Sequence, residues 1–160
     1  MPSGPVASED RIVLQAPAVE ATEEGARRLG SAYWQEVAAF SRGLVRPRIG
    51  DDEVELVAAG VGVLLRFGRA QTSAEDGVVE CRYPISGGLL AAAPGGSLVI
   101  AQERRGEKFE LRLAVEGFHP WLARRGRLAR VRAALYDTLQ TPLHAGVSRR
   151  FLERAARGPL

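Results

Sequence analysis

The stretch between residues 53 and 118 alternates apolar and polar residues in short runs, which is the pattern of strands with one buried face. The run at 108–118 is the clearest, because apolar residues occupy every second position from 109 to 115. Short glycine-containing turns such as 105–107 separate the runs and are typical of antiparallel hairpins. We therefore predict an antiparallel sheet that packs on one side only. The strand candidates are 11–16, 53–58, 61–70, 77–85, 97–105 and 108–118.

Helical patterns flank the strand candidates. Residues 19–44 favour helix, but Gly30 and Ser31 interrupt the pattern, so we expect two short helices or one broken helix after the first strand. In residues 126–157, apolar residues recur at steps of three or four, which predicts a long amphipathic C-terminal helix. Pro142 is expected to kink or split that helix, because proline removes a backbone donor.

The domain organisation is simple. The chain of 160 residues has no internal repeat and no linker-like segment, and its length suits one domain. Residues 1–10 are rich in proline, serine and glycine and predict a flexible N-terminus. Residues 11–157 are predicted to form a single α+β domain.

Composition excludes several classes of site. One cysteine, Cys81, cannot form an internal disulfide or a cysteine-based metal cluster. Two histidines, His119 and His144, offer no third ligand at a matched spacing, so we expect no metal and no cofactor. No apolar run approaches the about 18 residues that a membrane span requires. No secretory signal is visible at the start, and we expect a cytoplasmic protein.

Positive charge is concentrated at the C-terminal end. Residues 121–160 hold nine arginines and two acidic residues, a net charge of +7, whereas the whole chain carries only +3. Such a segment suits phosphates, an anionic lipid surface or a protein partner. The favoured alternative is a solvated helix face that pairs with acidic neighbours. Aromatic residues are not interleaved with these arginines, so we do not expect nucleic acid as a partner.

The order of the elements resembles the helix-grip fold of the START and birch-pollen-allergen superfamily, also called SRPBCC. Minor support comes from the glycine-rich connection at 87–96 and the strand end at 115–118. The resemblance implies a curved antiparallel sheet of six to seven strands wrapped around the C-terminal helix, with a cavity between them. A seventh strand is then expected at 89–93 or within 61–70. Members of this superfamily typically bind apolar or amphipathic small molecules, and some catalyse cyclisation or hydrolysis.

The residues that would face this cavity are the candidate ligand-binding residues. Tyrosine brings apolar area together with a hydroxyl that can orient a ligand. Gln102 follows two apolar residues on one face of its strand, so its amide needs a partner: a ligand, a water, or solvent where the strand leaves the core. The candidate set is Tyr83, Gln102, Leu111, Leu113, Tyr136, Gln140 and His144.

Three classes of function stay open. We favour binding of an apolar or amphipathic small molecule. An enzyme of the cyclase or hydrolase kind would use the same cavity, with His144, Cys81 or Glu116 as the titratable group, yet no assembled catalytic set is visible and we assign no catalytic residue. The third class is a module that uses the arginine-rich segment to bind an anionic surface or nucleic acid, or a protein partner. A homodimer stays open in each case.

Overall fold

A computed structural model describes residues 6–91, 94–118 and 141–160, and in these ranges the chain forms eight strands and two helices. The strands are β1 (Val6–Leu14), β2 (Val45–Ile49), β3 (Val54–Ala58), β4 (Gly62–Phe67), β5 (Gln71–Glu75), β6 (Val78–Gly87), β7 (Ser97–Arg105) and β8 (Lys108–Phe118). The helices are α1 (Glu23–Phe40) and α2 (Thr141–Arg157).

The strands form one curved sheet in the order β1-β8-β7-β6-β4-β3-β2, and every neighbouring pair is antiparallel. The long strand β6 pairs with β7 on one side. On the other side it pairs with β5 near its start and with β4 near its end. The predicted antiparallel α+β fold is therefore confirmed, with eight strands in place of six or seven.

The two strands that sequence analysis did not identify are β2 and β5. In β2 only Val45 is buried, Pro47 interrupts the run, and the strand lies at the edge of the sheet. In β5 no residue is buried. Both strands are held through backbone pairing to a neighbour, so they need few apolar side chains and leave little pattern in the sequence.

The prediction of two short helices after the first strand is corrected to one continuous helix, α1. Thr22 caps its first turn by accepting a hydrogen bond from the Gly25 N–H at 3.0 Å. Gly30 does not break the helix, because it lies where α1 packs against β6. There a Cβ would come within 2.1 Å of the Tyr83 hydroxyl oxygen. This glycine reflects close packing between elements rather than a helix end.

The N-terminal boundary also differs from the prediction. Residues 6–10, assigned to a flexible N-terminus, belong to β1 and pair with β8. Glu9 and Asp10 stand opposite Ala114 and Leu113 in that pair. The order of this segment comes from backbone pairing and from ion pairs of Glu9, which an apolar pattern does not reveal.

Helix α2 forms the end of the predicted C-terminal helix, and residues 126–140 of that prediction lie outside the described residues. The helix packs against α1 and β1, while α1 lies on β5, β6 and β7. Gly146 lets α2 approach α1 closely, because a Cβ there would meet the Phe40 ring at 2.1 Å. From residue 145 onward, the buried residues of α2 are Gly146, Val147, Ser148, Phe151, Leu152 and Ala155.

Charged residues join the two helices at their rim. The nearly buried carboxylate of Glu36 on α1 lies 3.4 Å from Arg150 and 3.3 Å from Arg154, both on α2. Arg154 also donates to the Gln35 side chain at 3.2 Å. Part of the basic C-terminal segment therefore forms a helix face paired with acidic neighbours, as the favoured interpretation of its charge predicts.

The outer face of the sheet carries a network of ion pairs. Arg112 pairs with Glu9 at 2.9 Å and with Glu116, and Arg82 pairs with Glu116 at 3.1 Å and with Glu80 at 3.1 Å. Beneath these side chains lies a small apolar cluster on the same face, formed by Val99, Ala101 and Ala114. This face has its charges paired within the sheet.

Candidate ligand-binding site

The inner face of the sheet gathers the predicted site residues that the structure describes. Leu113 stands opposite Ile100 on β7, and Leu111 stands opposite Gln102. Tyr83 lies on the neighbouring strand β6. All four candidates are buried, with Leu111 and Leu113 fully inaccessible to solvent. The strand parity from which they were selected therefore places them in the core.

Three candidates belong to the C-terminal segment. Tyr136 and Gln140 lie outside the described residues, and so does His119. His144 lies in the first turn of α2, and its side chain is not among those described. The helical rise places it one turn before Ser148. The roles of Tyr136, Gln140 and His144 as ligand-binding residues stay predictions.

Five aromatic rings form a continuous cluster between the sheet and the helices, the aromatic cluster. The Trp34 ring lies 5.2 Å from both Phe67 and Tyr83, centre to centre, and 5.0 Å from Tyr33. The Tyr33 ring lies 6.0 Å from Phe151 on α2. The tilted and edge-to-face arrangements are those that aromatic rings prefer. No local sequence pattern predicts this cluster, because the ring partners of Tyr33 and Trp34 come from distant strands and from α2.

A small polar group lies at one side of this cluster. The Tyr83 hydroxyl packs against the backbone of Gly30. The Cys81 thiol lies beside it, and its sulfur would be 3.0 Å from a Cβ placed on Gly30. Burial raises the pKa of Cys81, and hydrogen bonding to Tyr83 opposes that shift only in part. Burial also raises the pKa of Tyr83. Both groups are therefore neutral near pH 7, and Cys81 is a buried thiol rather than an activated nucleophile.

Gln102 finds its partners in the protein. Its side-chain oxygen accepts hydrogen bonds from the backbone N–H groups of Ala18, at 2.7 Å, and Val19, at 3.1 Å. Its amide nitrogen donates to the Val19 carbonyl at 3.0 Å. The amide thus holds the loop between β1 and α1 against the sheet. Contact between Gln102 and a ligand stays a prediction.

Two other buried polar atoms have no hydrogen-bond partner among the described residues, the indole nitrogen of Trp34 and the hydroxyl oxygen of Ser148. Both side chains are about 1% exposed. An interaction with the Trp34 N–H opposes the rise in the pKa of Tyr83, but the indole nitrogen makes no hydrogen bond of ordinary geometry. Ser148 lies one turn before Phe151, so both atoms belong to the layer that contains the aromatic cluster.

The remaining enzyme candidate on the sheet, Glu116, lies on the outer face. A hydrogen bond from Arg112 lowers the pKa of its carboxyl, and a hydrogen bond from Arg82 acts in the same direction. A carboxylate held in this way does not serve the interior as an acid or base.

Within the described ranges, no three histidine, cysteine or acidic residues are grouped to hold a metal. No helix in these ranges is long and apolar enough to cross a membrane.

One open cavity of about 290 Å³ lies at the end of β1, at the margin of the core. It is bordered by the end of β1 with the loop that follows it, 13–17, and by the end of α2 with its continuation, 155–159. None of the candidate ligand-binding residues lines it. We refer to it below as the rim cavity.

Comparisons with known proteins identify the fold. No protein-family model matches the chain, and no curated protein matches it significantly in sequence. Among solved structures, the Zhui aromatase/cyclase from Streptomyces sp. R1128 superposes with a TM-score of 0.51 at 13% identity, over 95% of this chain and 94% of that one. The protein TTHA0849 from Thermus thermophilus gives 0.48 at 16% identity, over 93% and 99%.

The element order, the single curved sheet and the superposition on the Zhui protein agree. The superposition establishes the fold. With a sequence identity this low, it does not establish the activity. The chain has a helix-grip fold.

Proposed function

We propose that the protein binds an apolar or amphipathic small molecule between the inner face of the sheet and the C-terminal helix. The observation that supports this most strongly is the composition of the interior between the sheet and the two helices. It combines the aromatic cluster with aliphatic residues such as Leu111 and Leu113 and carries two polar atoms that the described residues leave unpartnered. Ligand sites are typically apolar and aromatic, with few polar groups that orient the ligand.

The binding energy would come from removing apolar ligand surface from water. A two-ring aromatic ligand that buries roughly 300 Å² gains about 7 kcal/mol at about 25 cal/mol per Å², before the cost of losing its free motion. No charged side chain is required for this step. In this proposal Tyr83, Leu111 and Leu113 line the sheet side, and Tyr136, Gln140 and His144 line the helix side.

The Zhui protein is an aromatase/cyclase. Its fold is shared with this chain, and that likeness makes an interior small-molecule site a reasonable proposal here. We further propose a cytoplasmic location, since a free buried thiol such as Cys81 suits a reducing compartment.

The experiment is native mass spectrometry of freshly purified protein beside a denatured control. We expect a reproducible extra mass that is lost on denaturation. Calorimetric titration with acetylnaphthalene, a flat apolar probe, accompanies it. A bare-chain mass in repeated preparations together with no saturable binding of acetylnaphthalene contradicts the proposal.

Two matched variants locate the probe. Leu113→Phe enlarges a side chain on the inner face, and Ala156→Arg places a long side chain at the rim cavity. An interior site predicts that only Leu113→Phe weakens binding, provided that its thermal unfolding shows a folded protein. Weakening by Ala156→Arg alone contradicts an interior site.

A further inference from the structure

Two side chains of the interior carry hydrogen-bonding atoms without partners among the described residues, one from each helix. The Trp34 indole nitrogen belongs to α1 and the Ser148 hydroxyl belongs to α2. Both are more than nine-tenths buried. Other buried polar side chains of this layer have partners: Gln102 bonds the loop after β1, and Glu36 pairs with two arginines.

Buried polar groups are nearly always hydrogen-bonded in native proteins, because an unmade bond costs the full desolvation of the group. An indole N–H is a donor only, and a serine hydroxyl donates and accepts. A ligand atom that satisfies either group must therefore be an acceptor for Trp34 and a donor or an acceptor for Ser148. A hydrogen-bond acceptor, of which a carbonyl oxygen is the commonest example, suits both.

The two groups are connected through the aromatic cluster. Trp34 contacts Tyr33, Tyr33 contacts Phe151, and Phe151 follows Ser148 by one helical turn. A flat apolar ligand in this layer would pack its faces against rings of the aromatic cluster. The Trp34 N–H and the Ser148 hydroxyl would then lie at its edge. Nothing charged is needed to hold it, so the polar contacts would decide which ligand is accepted.

We propose that Trp34 and Ser148 are specificity-determining residues that hydrogen-bond an oxygen acceptor of the ligand. The inference rests on the proposed function. It adds that the site discriminates against a ligand of the same shape that lacks the oxygen. A site built to hydrogen-bond a ligand oxygen rejects the analogue without it strongly, because its own buried groups then stay unpaired.

The test compares acetylnaphthalene with isopropenylnaphthalene, in which a CH₂ group replaces the carbonyl oxygen. Both are titrated by calorimetry into the full chain and into Ser148→Ala, Trp34→Phe and the double variant. Ser31→Ala is the control, because Ser31 is an exposed serine on α1. Trp34→Phe keeps an aromatic ring and removes the N–H.

The wild type and Ser31→Ala should bind acetylnaphthalene at least tenfold more tightly than isopropenylnaphthalene. The preference should fall in at least one single variant and disappear in the double variant. Binding of both compounds with no preference, or a preference that survives in the double variant, overturns the inference and leaves the proposed function standing. Binding of neither compound contradicts the proposed function as well.

A second measurement separates a ligand contact from a structural role without any ligand. If the Ser148 hydroxyl has no partner in the free protein, Ser148→Ala should leave the thermal unfolding temperature unchanged or raise it. A clear fall in that temperature would show that the hydroxyl is bonded within the protein and would overturn its assignment. Ser148→Ala also keeps the inference testable if Trp34→Phe does not fold.

Discussion

The hydroxyl of Tyr83 on β6 lies against the backbone of Gly30 on α1, at a point where a Cβ would come within 2.1 Å of the oxygen. This contact fixes how closely the helix lies on the sheet. It also explains why a glycine stands in the middle of a continuous helix, where it is unfavourable by about 1 kcal/mol relative to alanine. The contact joins α1 to a strand that carries one ring of the aromatic cluster.

Gly30→Ala should therefore destabilise the protein by about 1–3 kcal/mol, because the added methyl group collides with the Tyr83 hydroxyl. Tyr83→Phe removes the oxygen, so Gly30→Ala should cost less in the Tyr83→Phe background. Chemical denaturation of the four proteins measures this coupling. The exposed neighbour Ser31→Ala is the control. A rise in stability for Gly30→Ala alone would contradict the close contact.

Gln102→Leu should destabilise the protein by about 1–3 kcal/mol, since the backbone groups of Ala18 and Val19 lose their buried partner. Hydrogen exchange should accelerate at these two amides more than elsewhere. Gln71→Leu, at an exposed position of β5, serves as the control and should change little. Unchanged exchange at residues 18 and 19 would contradict the role of Gln102 in holding the loop.

Glu36→Gln should loosen the contact between the helices, because it removes the charge that faces Arg150 and Arg154. The expected loss in unfolding free energy is about 1 kcal/mol, as the arginines stay partly exposed to solvent. Glu153→Gln is the control: Glu153 is exposed on α2 and has no ion pair among the described residues. Equal effects of the two changes would argue against a specific bridge between the helices.

The outer face predicts a dependence of stability on pH. The hydrogen bond from Arg112 lowers the pKa of Glu116 in the folded protein below its ordinary value of about 4.5. A carboxyl whose folded pKa is depressed stabilises the protein above the unfolded pKa, and that contribution is lost as the pH falls through the folded pKa. Stability should therefore decline on acidification from about pH 5 downward.

Urea unfolding midpoints of the wild type and Glu116→Gln, followed from about pH 7 to about pH 3, measure this contribution. The wild type should be more stable near neutral pH, and the two curves should converge in acid because the glutamate has become neutral. A constant difference across the whole range would show that the ion pairs of Glu116 do not carry the effect.

The sequence predicted the strands whose side chains alternate between core and solvent. In β6 every second residue from Val79 to Ile85 is buried, and β3 follows the same pattern. The sequence did not predict strands β2 and β5, because backbone pairing holds them and they need few apolar side chains. The break predicted at Gly30 was wrong for a related reason: a glycine that makes room for another element looks the same in sequence as one that ends a helix.

The candidate site also contains residues that the sequence predicted and residues that only the folded structure brings together. Strand parity assigned Tyr83, Leu111 and Leu113 to one face, and all three are buried. Phe67 and Phe151 join the aromatic cluster only through the topology of the sheet and the packing of α2, which no local pattern encodes. A buried atom without a partner, such as the hydroxyl oxygen of Ser148, is a property of the folded chain alone.

The proposed function places a small molecule in the interior of the protein rather than at its surface. The most direct measurement is isotope-filtered NMR of the chain in complex with acetylnaphthalene, which detects nuclear Overhauser effects between ligand and protein protons. An interior site predicts contacts from the ligand to Leu113, Tyr83 and Phe151. Contacts confined to Val13 and Ala156, which border the rim cavity, would contradict it.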